Sequence, residues 1–331
     1  MQAIVTNDLV KLFSPAIRAV DGIDLDIPEG QVFGFLGQNG SGKTTTVRML
    51  TTLLRPTSGT ARVAGLDLLA DPERVRKTVG VALQEVGLDD LQTGREQLLL
   101  QARLFGISSN EAKKRAERLL EVVTLTEDAD RPVKGYSGGM KRRLDLVCAL
   151  VHEPRIVFLD EPTTGLDPIT RDTVWRYVED LNKDGVTFFL TTQYLEEADR
   201  LCDDIAIIDK GKIVVRGTPG ELKSSIGSDA ITLGFASVQD ASQAAERLTS
   251  MEGLDRITAV DREVVIYLKN GASAVANVVL ALDDAGLTVS ELRLAQATLD
   301  DVFLQATGHH LEVDKKEANG KAGAMAAGGA A

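Results

Sequence analysis

The chain has 331 residues, 44% of them hydrophobic and 26% charged, which suffices for two domains with buried cores and a wetted surface. Its formal net charge of −12 argues against nucleic acid as the main partner, because phosphate backbones are held chiefly by Lys and Arg. No stretch approaches about 18 apolar residues and the N-terminus lacks a signal pattern, so a cytoplasmic chain that does not itself cross a membrane is expected. Only Cys148 and Cys202 occur, each in an apolar helical pattern, which reads as buried free thiols rather than a disulfide or metal pair.

Residues 1–30 read as short strands joined by turns, and Ile23-Asp24-Leu25-Asp26-Ile27 alternates with period two. Residues 31–36 are strand-like. They lead into Gly37-Gln38-Asn39-Gly40-Ser41-Gly42-Lys43-Thr44, which fits the phosphate-loop pattern of two glycines followed by Lys and Thr. Thr45 opens a helix in which Val47, Leu50 and Leu54 share a face. Such a strand, loop and helix predict a nucleoside triphosphate site. Glycines let backbone N–H groups converge, the helix N-terminus adds positive potential, Lys43 reaches the β- and γ-phosphates, and Thr44 ligates Mg²⁺.

Val79-Gly80-Val81-Ala82-Leu83 predicts a strand ending at Gln84, and residues from about 88 to 135 are dominated by helical periodicity. Tyr136-Ser137-Gly138-Gly139-Met140 then reads as a loop with Ser137 as N-cap of an amphipathic helix, on which Lys141-Arg142-Arg143 is expected to be a solvated face. Ile156-Val157-Phe158-Leu159 suits a strand buried on both faces, with Asp160 and Glu161 emerging at its C-terminal end, where α/β sheets bind ligands. That position suits Asp160 to hold Mg²⁺ through its water shell and Glu161 to orient an attacking water. Further strands at 155–160, 186–191 and 204–209 alternate with helices near 168–183 and 194–202, predicting a largely parallel α/β sheet.

The order of phosphate loop, Gln84, Ser-Gly-Gly, Asp160-Glu161 and Thr164-Gly165-Leu166-Asp167 makes residues 1 to about 225 resemble the nucleotide-binding subunit of an ABC transporter, a P-loop NTPase with a helical subdomain. The resemblance implies ATP and Mg²⁺ as ligands, and a head-to-tail dimer in which each ATP lies between the phosphate loop of one copy and the Ser-Gly-Gly signature of the other. Gly37 to Thr45 would cradle the phosphates; Ser137, Gly138 and Gly139 would contact the γ-phosphate held by the partner copy. Gln84 would match the Q-loop and touch Mg²⁺ or the lytic water. Phe13 would stack on adenine, and Asp167 would lie in the loop that crosses the dimer seam. The groove near Gln84 would receive a short helix of a separately encoded membrane permease, placing the subunit on the cytoplasmic face of the cell membrane.

Two positions depart from the commonest family pattern. The signature usually reads Leu-Ser-Gly-Gly-Gln, and here Tyr136 and Met140 hold its ends. Gln193 occupies the place of the switch His, and His152, His309 and His310 are the only histidines. Gln donates a hydrogen bond but takes up no proton at neutral pH.

A boundary is expected near Gly227-Ser228-Asp229, giving domains 1–227 and 228–310 and a disordered tail 311–331. Residues 230–235, 241–248, 257–260, 264–268 and 273–285 read as strand, helix, hairpin and helix of a small ferredoxin-like α/β domain. The last helix carries Leu299, Val302, Phe303 and Ala306 on one face, which suits packing either in that domain's own core or on a partner. Its terminal segment is similar to that of daunorubicin/doxorubicin-resistance type ATP-binding subunits, a subgroup that also tolerates Gln at the switch position. The resemblance implies an ATPase subunit exporting hydrophobic drugs, polyketides or lipids, with another amphipath or a polysaccharide as the alternative cargo. A soluble DNA-repair ATPase would need a long coiled coil between the phosphate loop and the signature, where only about ninety residues lie.

Overall fold

A computed structural model describes residues 1–14, 17–226, 229–249, 251, 253–268, 271–295 and 297–308. The expected tail at 311–331, the His309-His310 pair and the boundary residues Gly227 and Ser228 lie outside the described residues. Two compact units are present, one formed by Met1–Thr218 and the other beginning at Pro219.

In chain order the first unit contains β1 (Gln2–Ser14), β2 (Ile17–Pro28), β3 (Val32–Leu36), α1 (Lys43–Leu50), β4 (Ser58–Val63), β5 (Leu66–Asp67), α2 (Pro72–Thr78) and β6 (Val79–Ala82). It continues with α3 (Gly94–Leu104), α4 (Ser109–Val122), α5 (Gly138–Cys148), β7 (Ile156–Asp160), α6 (Pro168–Lys183), β8 (Thr187–Thr192), α7 (Leu195–Leu201), β9 (Asp204–Asp209) and β10 (Lys212–Gly217). β2, β1, β4 and β5 form an antiparallel sheet in that order. On β2 the period-two expectation holds: Ile23, Leu25 and Ile27 are buried and Asp24 and Asp26 exposed.

The central sheet runs β10-β9-β3-β8-β7-β6. Every pairing in it is parallel except β9 with β10. All residues of β3, β7 and β8 are buried, as expected for strands covered on both faces. Phe33, Phe35, Phe158 and Phe189 are fully buried, and Phe189 stands 5.4–5.6 Å from the other three ring centroids. Each such ring stabilises the fold by about 2–3 kcal/mol through burial, so this cluster ties three neighbouring strands together.

Register then decides function. Leu36 pairs with Thr192, Asp160 with Thr191, and Ala82 with Leu159, so β3, β8, β7 and β6 end side by side. The loops that leave those ends carry Gly37, Gln193, Glu161 and Gln84. The region expected to be helical holds α3, started by a reciprocal capping box of Thr93 and Glu96, and α4, capped by Ser108.

The second unit contains α8 (Pro219–Ile226), β11 (Asp229–Gly234), α9 (Val238–Leu248), β12 (Leu254–Val260), β13 (Glu263–Leu268), α10 (Gly271–Asp283), β14 (Glu291–Ala295) and α11 (Leu299–Thr307). The sheet order β12-β13-β11-β14, antiparallel throughout with α9 and α10 as crossovers, is the ferredoxin-like arrangement. Ile231, Leu233, Ala244, Leu248, Val264 and Val278 lie in its core. α11 packs on α8, and Leu222, Leu299, Val302 and Phe303 are buried. The division between units therefore precedes α8, ahead of residues 227–229, and the apolar face of α11 is already covered within the chain.

Candidate functional site

The phosphate loop is built around two glycines that no other residue replaces. Gly42 has φ 114°, and a Cβ there would lie 2.4 Å from the Ala19 carbonyl oxygen; at Gly37 it would lie 2.5 Å from the carbonyl of Ile208. Lys43 opens α1 and folds back over the loop, its Nζ donating to the carbonyls of Gly37 (2.8 Å) and Gln38 (3.1 Å). No side chain caps the N-terminus of α1, and the Ser41 hydroxyl is buried without a hydrogen-bond partner. Uncapped first-turn amides, an unpartnered hydroxyl and an ammonium together fit a polyanion.

Glu161 faces this loop. Its Oε1 is 3.3 Å from Lys43 Nζ, and its Oε2 accepts from Gln84 Nε2 (3.3 Å) and Thr164 Oγ1 (3.5 Å). Burial lowers the Lys43 pKa, while Glu161 opposes that shift. The Glu161 backbone is left-handed, with φ 51°, and its N–H donates to the Thr191 carbonyl (3.0 Å) and Thr191 Oγ1 (3.2 Å). A non-glycine residue in this region persists only where its surroundings hold it.

Asp160, the last residue of β7, is fully buried. Its Oδ1 accepts from Thr191 Oγ1 and from Thr44 Oγ1 (3.3 Å), and its Oδ2 has no partner. Among the described residues no group of three His, Cys, Asp or Glu could enclose a metal. A hydroxyl beside a carboxylate with a free buried oxygen instead fits Mg²⁺, which takes one or two protein oxygens and completes its shell from phosphate and water.

The other expected site residues are dispersed as follows. Gln193 is buried directly after β8. Phe13, on β1, is 58% exposed with Lys11 Nζ 5.5 Å from its ring centroid. Ser137 caps α5 by accepting from Met140 N (3.2 Å); it and Gly138 are exposed. Asp167 caps α6, its carboxylate accepting from the N–H groups of Ile169 and Thr170 and from the Thr170 hydroxyl.

The expectation for the basic run is overturned as well. Lys141-Arg142-Arg143 is no solvated face: Lys141 pairs with Asp90 (2.5 Å), Arg143 donates to the Val123 carbonyl, and Arg142 is only 6% exposed. The Arg142 guanidinium donates to the backbone carbonyls of Leu83, Asp160 (2.7 Å), Glu161 (3.0 Å) and Pro162 (2.9 Å). Helical spacing was the available signal, since Arg142 shares the inward face with Leu146 and Ala149. Glu197 on α7 was also missed. Fully buried, it accepts from Thr163 Oγ1 (2.8 Å) and Trp175 Nε1 (2.9 Å), and burial raises its pKa.

Comparison with known proteins shows the family. Residues 20–164 match the ABC transporter family, and residues 217–307 match the ATP-binding protein DrrA1-3-like, C-terminal domain. The chain is 45% identical to the daunorubicin/doxorubicin resistance ATP-binding protein DrrA of Streptomyces peucetius, covering 93% of each. It is 34% identical to the linearmycin resistance ATP-binding protein LnrL of Bacillus subtilis, covering 88% of this chain and 94% of that one. Among solved structures, an ATP binding subunit of an ABC transporter superposes with a TM-score of 0.63 at 27% identity, over 67% of this chain and 92% of that one. A dimeric post-hydrolysis ATP-binding cassette bound to ADP and phosphate gives 0.61 at 25%, over 65% and 98%. The chain belongs to the ATP-binding proteins of ABC transporters, in their daunorubicin/doxorubicin-resistance type.

Proposed function

We propose that the chain hydrolyses ATP with Mg²⁺ and that a head-to-tail pair of copies drives export through a separate membrane permease. The observation that carries this reading is the convergence of Lys43, Gln84 and Glu161 beside the free oxygen of Asp160, at strand ends brought together by register. Gly37, Gln38, Asn39, Gly40, Ser41, Gly42, Lys43, Thr44 and Thr45 hold the triphosphate, with Phe13 under the adenine. Thr44 and Asp160 hold Mg²⁺, with Gln84 beside it; the bound ion neutralises phosphate charge. Glu161 takes the proton of the attacking water, and Gln84 and Gln193 orient that water and the γ-phosphate by hydrogen bonding. Ser137, Gly138, Gly139 and Asp167 serve the nucleotide bound by the opposite copy, and the exposure of Ser137 and Gly138 supports a role completed by another chain.

A permease partner is supported by two features. Among the described residues no helix is long and apolar enough to cross a membrane. A cavity of about 380 Å³ beside the Gln84 segment, lined in part by Leu53, Leu83, Phe105 and His152, offers a place for a short helix. Such assembly places the subunit at the cytoplasmic face of the membrane. The names of the relatives favour drug-like amphipaths as cargo; another, a Nod factor export ATP-binding protein of Ralstonia nicotianae at 36% identity over 88% of this chain and 90% of that one, keeps a different amphipath in play. Phosphate release by the purified full-length chain, abolished by EDTA and restored by Mg²⁺, tests the hydrolytic reading. Drug accumulation in cells expressing the chain with its permease tests the cargo.

A further inference from the structure

We infer that Arg142 is a positioning residue for turnover, locking the helix that begins at Ser137 to the two backbone segments that present Gln84 and Glu161. This rests on the hydrolytic reading above. The partners of the guanidinium are four main-chain carbonyls. Leu83 immediately precedes Gln84, and Asp160, Glu161 and Pro162 form the end of β7 and its exit. One planar group therefore sets the peptide planes on both sides of the reacting centre. Among these planes is that of Glu161, whose left-handed backbone needs its surroundings to persist.

The chemistry of the group explains why a bare cation would not serve. Nε reaches Pro162, Nη1 reaches Leu83, and Nη2 is shared by Asp160 and Glu161, a fan of donors that an ammonium cannot reproduce. Asp145 on the same helix is the carboxylate in ion-pair contact with the guanidinium, at 3.7 Å, and Asp160, Glu197 and Glu161 also act on the buried charge. Its direct hydrogen bonds all go to main-chain carbonyls, and with a cationic donor these bonds are charge-assisted. Arg142 also stands little more than one helical turn from Ser137, a span of roughly 7 Å along a rigid rod. Displacement of the α5 N-terminus, where the Ser-Gly-Gly segment meets the opposite copy's nucleotide, is thereby transmitted directly to the carbonyls that place Gln84 and Glu161. In this way engagement of one site is linked to the catalytic geometry of the other.

The test is Arg142→Lys in the full-length chain, which keeps the charge and loses the fan. Equilibrium binding of ATP, measured by competition with a fluorescent analogue, should stay within about threefold of wild type, while single-turnover hydrolysis falls by at least about 30-fold. In a Glu161→Gln background the same change should add less than about a further twofold loss, because the alignment of Gln84 and Glu161 that Arg142 maintains then no longer serves a base. Arg142→Gln, whose amide donates to two carbonyls at most, should behave likewise and stands in if the Lys variant does not fold. Wild-type turnover in either folded variant would overturn the inference alone. So would parallel losses of binding and turnover that persist undiminished in the Glu161→Gln background, the pattern of a purely structural staple. Glu161→Gln hydrolysing at the wild-type rate would instead remove the hydrolytic reading, and this inference with it.

Discussion

Lys43 Nζ lies 3.3 Å from Glu161 Oε1, with the two side chains 3% and 5% exposed. Without nucleotide each charge is the other's main compensation, and an entering polyphosphate would take over the ammonium and free the carboxylate. Breaking such a buried pair from one side leaves an uncompensated charge at a cost of roughly 3–5 kcal/mol. Lys43→Ala should therefore destabilise the nucleotide-free protein by about that amount as well as abolish ATP binding. Lys43→Ala with Glu161→Gln should recover most of the stability and none of the binding. Denaturant melts of the four proteins of the cycle measure this, and an additive double variant would rule out the pair as a coupled unit.

Glu161→Gln preserves shape but removes the proposed base. ATP binding should persist, steady-state phosphate release should fall by about 100-fold or more, and a closed ATP-bound dimer should accumulate on sizing columns. Phosphate release near the wild-type rate would show that the proton goes elsewhere.

Sharing of sites between copies is open to a complementation test. In a mixed dimer of Lys43→Ala and Ser137→Arg subunits, one site carries both lesions and the other carries neither. Activity near half that of wild type is expected, against almost none for either parent homodimer. A mixed dimer as inactive as its parents would contradict the head-to-tail geometry.

Asp145 should leave a pH signature. Burial raises its pKa from 3.8 to about 6, against the opposing pull of Arg142 and the N–H of Gly87; Glu85 and His152 line the same cavity. The native state thus holds this proton more tightly than the unfolded chain. The stability it contributes is full below about pH 4 and is lost as pH rises through about 6. Relative to wild type, Asp145→Asn should gain up to roughly 3 kcal/mol between pH 4 and 7, with little change above. A stability difference that stays flat across this range in urea titrations would show that the carboxyl titrates normally.

The phosphate loop, the acidic strand end and the Ser-Gly-Gly segment were legible because each is contiguous. A loop that curls around phosphate needs its glycines, Lys and Thr at fixed offsets, and a buried strand announces itself as an apolar run ending in carboxylates. Most strands of the central sheet and the helices between them followed from periodicity, and the ferredoxin-like unit from its alternation, whereas β4, β5, α2, β10, α8 and β14 were not read from the sequence. Arg142 escaped because a basic run on a helix is ordinarily solvated, and its partners are carbonyls 18 to 59 residues away.

What the sequence determined by itself was chemistry confined to single segments: which residues could cradle phosphate, which could act as a base, and which strands were interior. Tertiary structure alone decided what meets what. The side-by-side order of β3, β8, β7 and β6 places Lys43, Asp160, Glu161, Gln84 and Gln193 at neighbouring strand ends, and no local propensity encodes that register. The same holds for the covered face of α11, whose apolar stripe reads identically whether its cover is α8 or another protein. The physical reason is common to both. Periodicity reports that a side chain must leave water, whereas its partner is chosen by long-range packing and by the need of every buried charge and carbonyl for a counterpart.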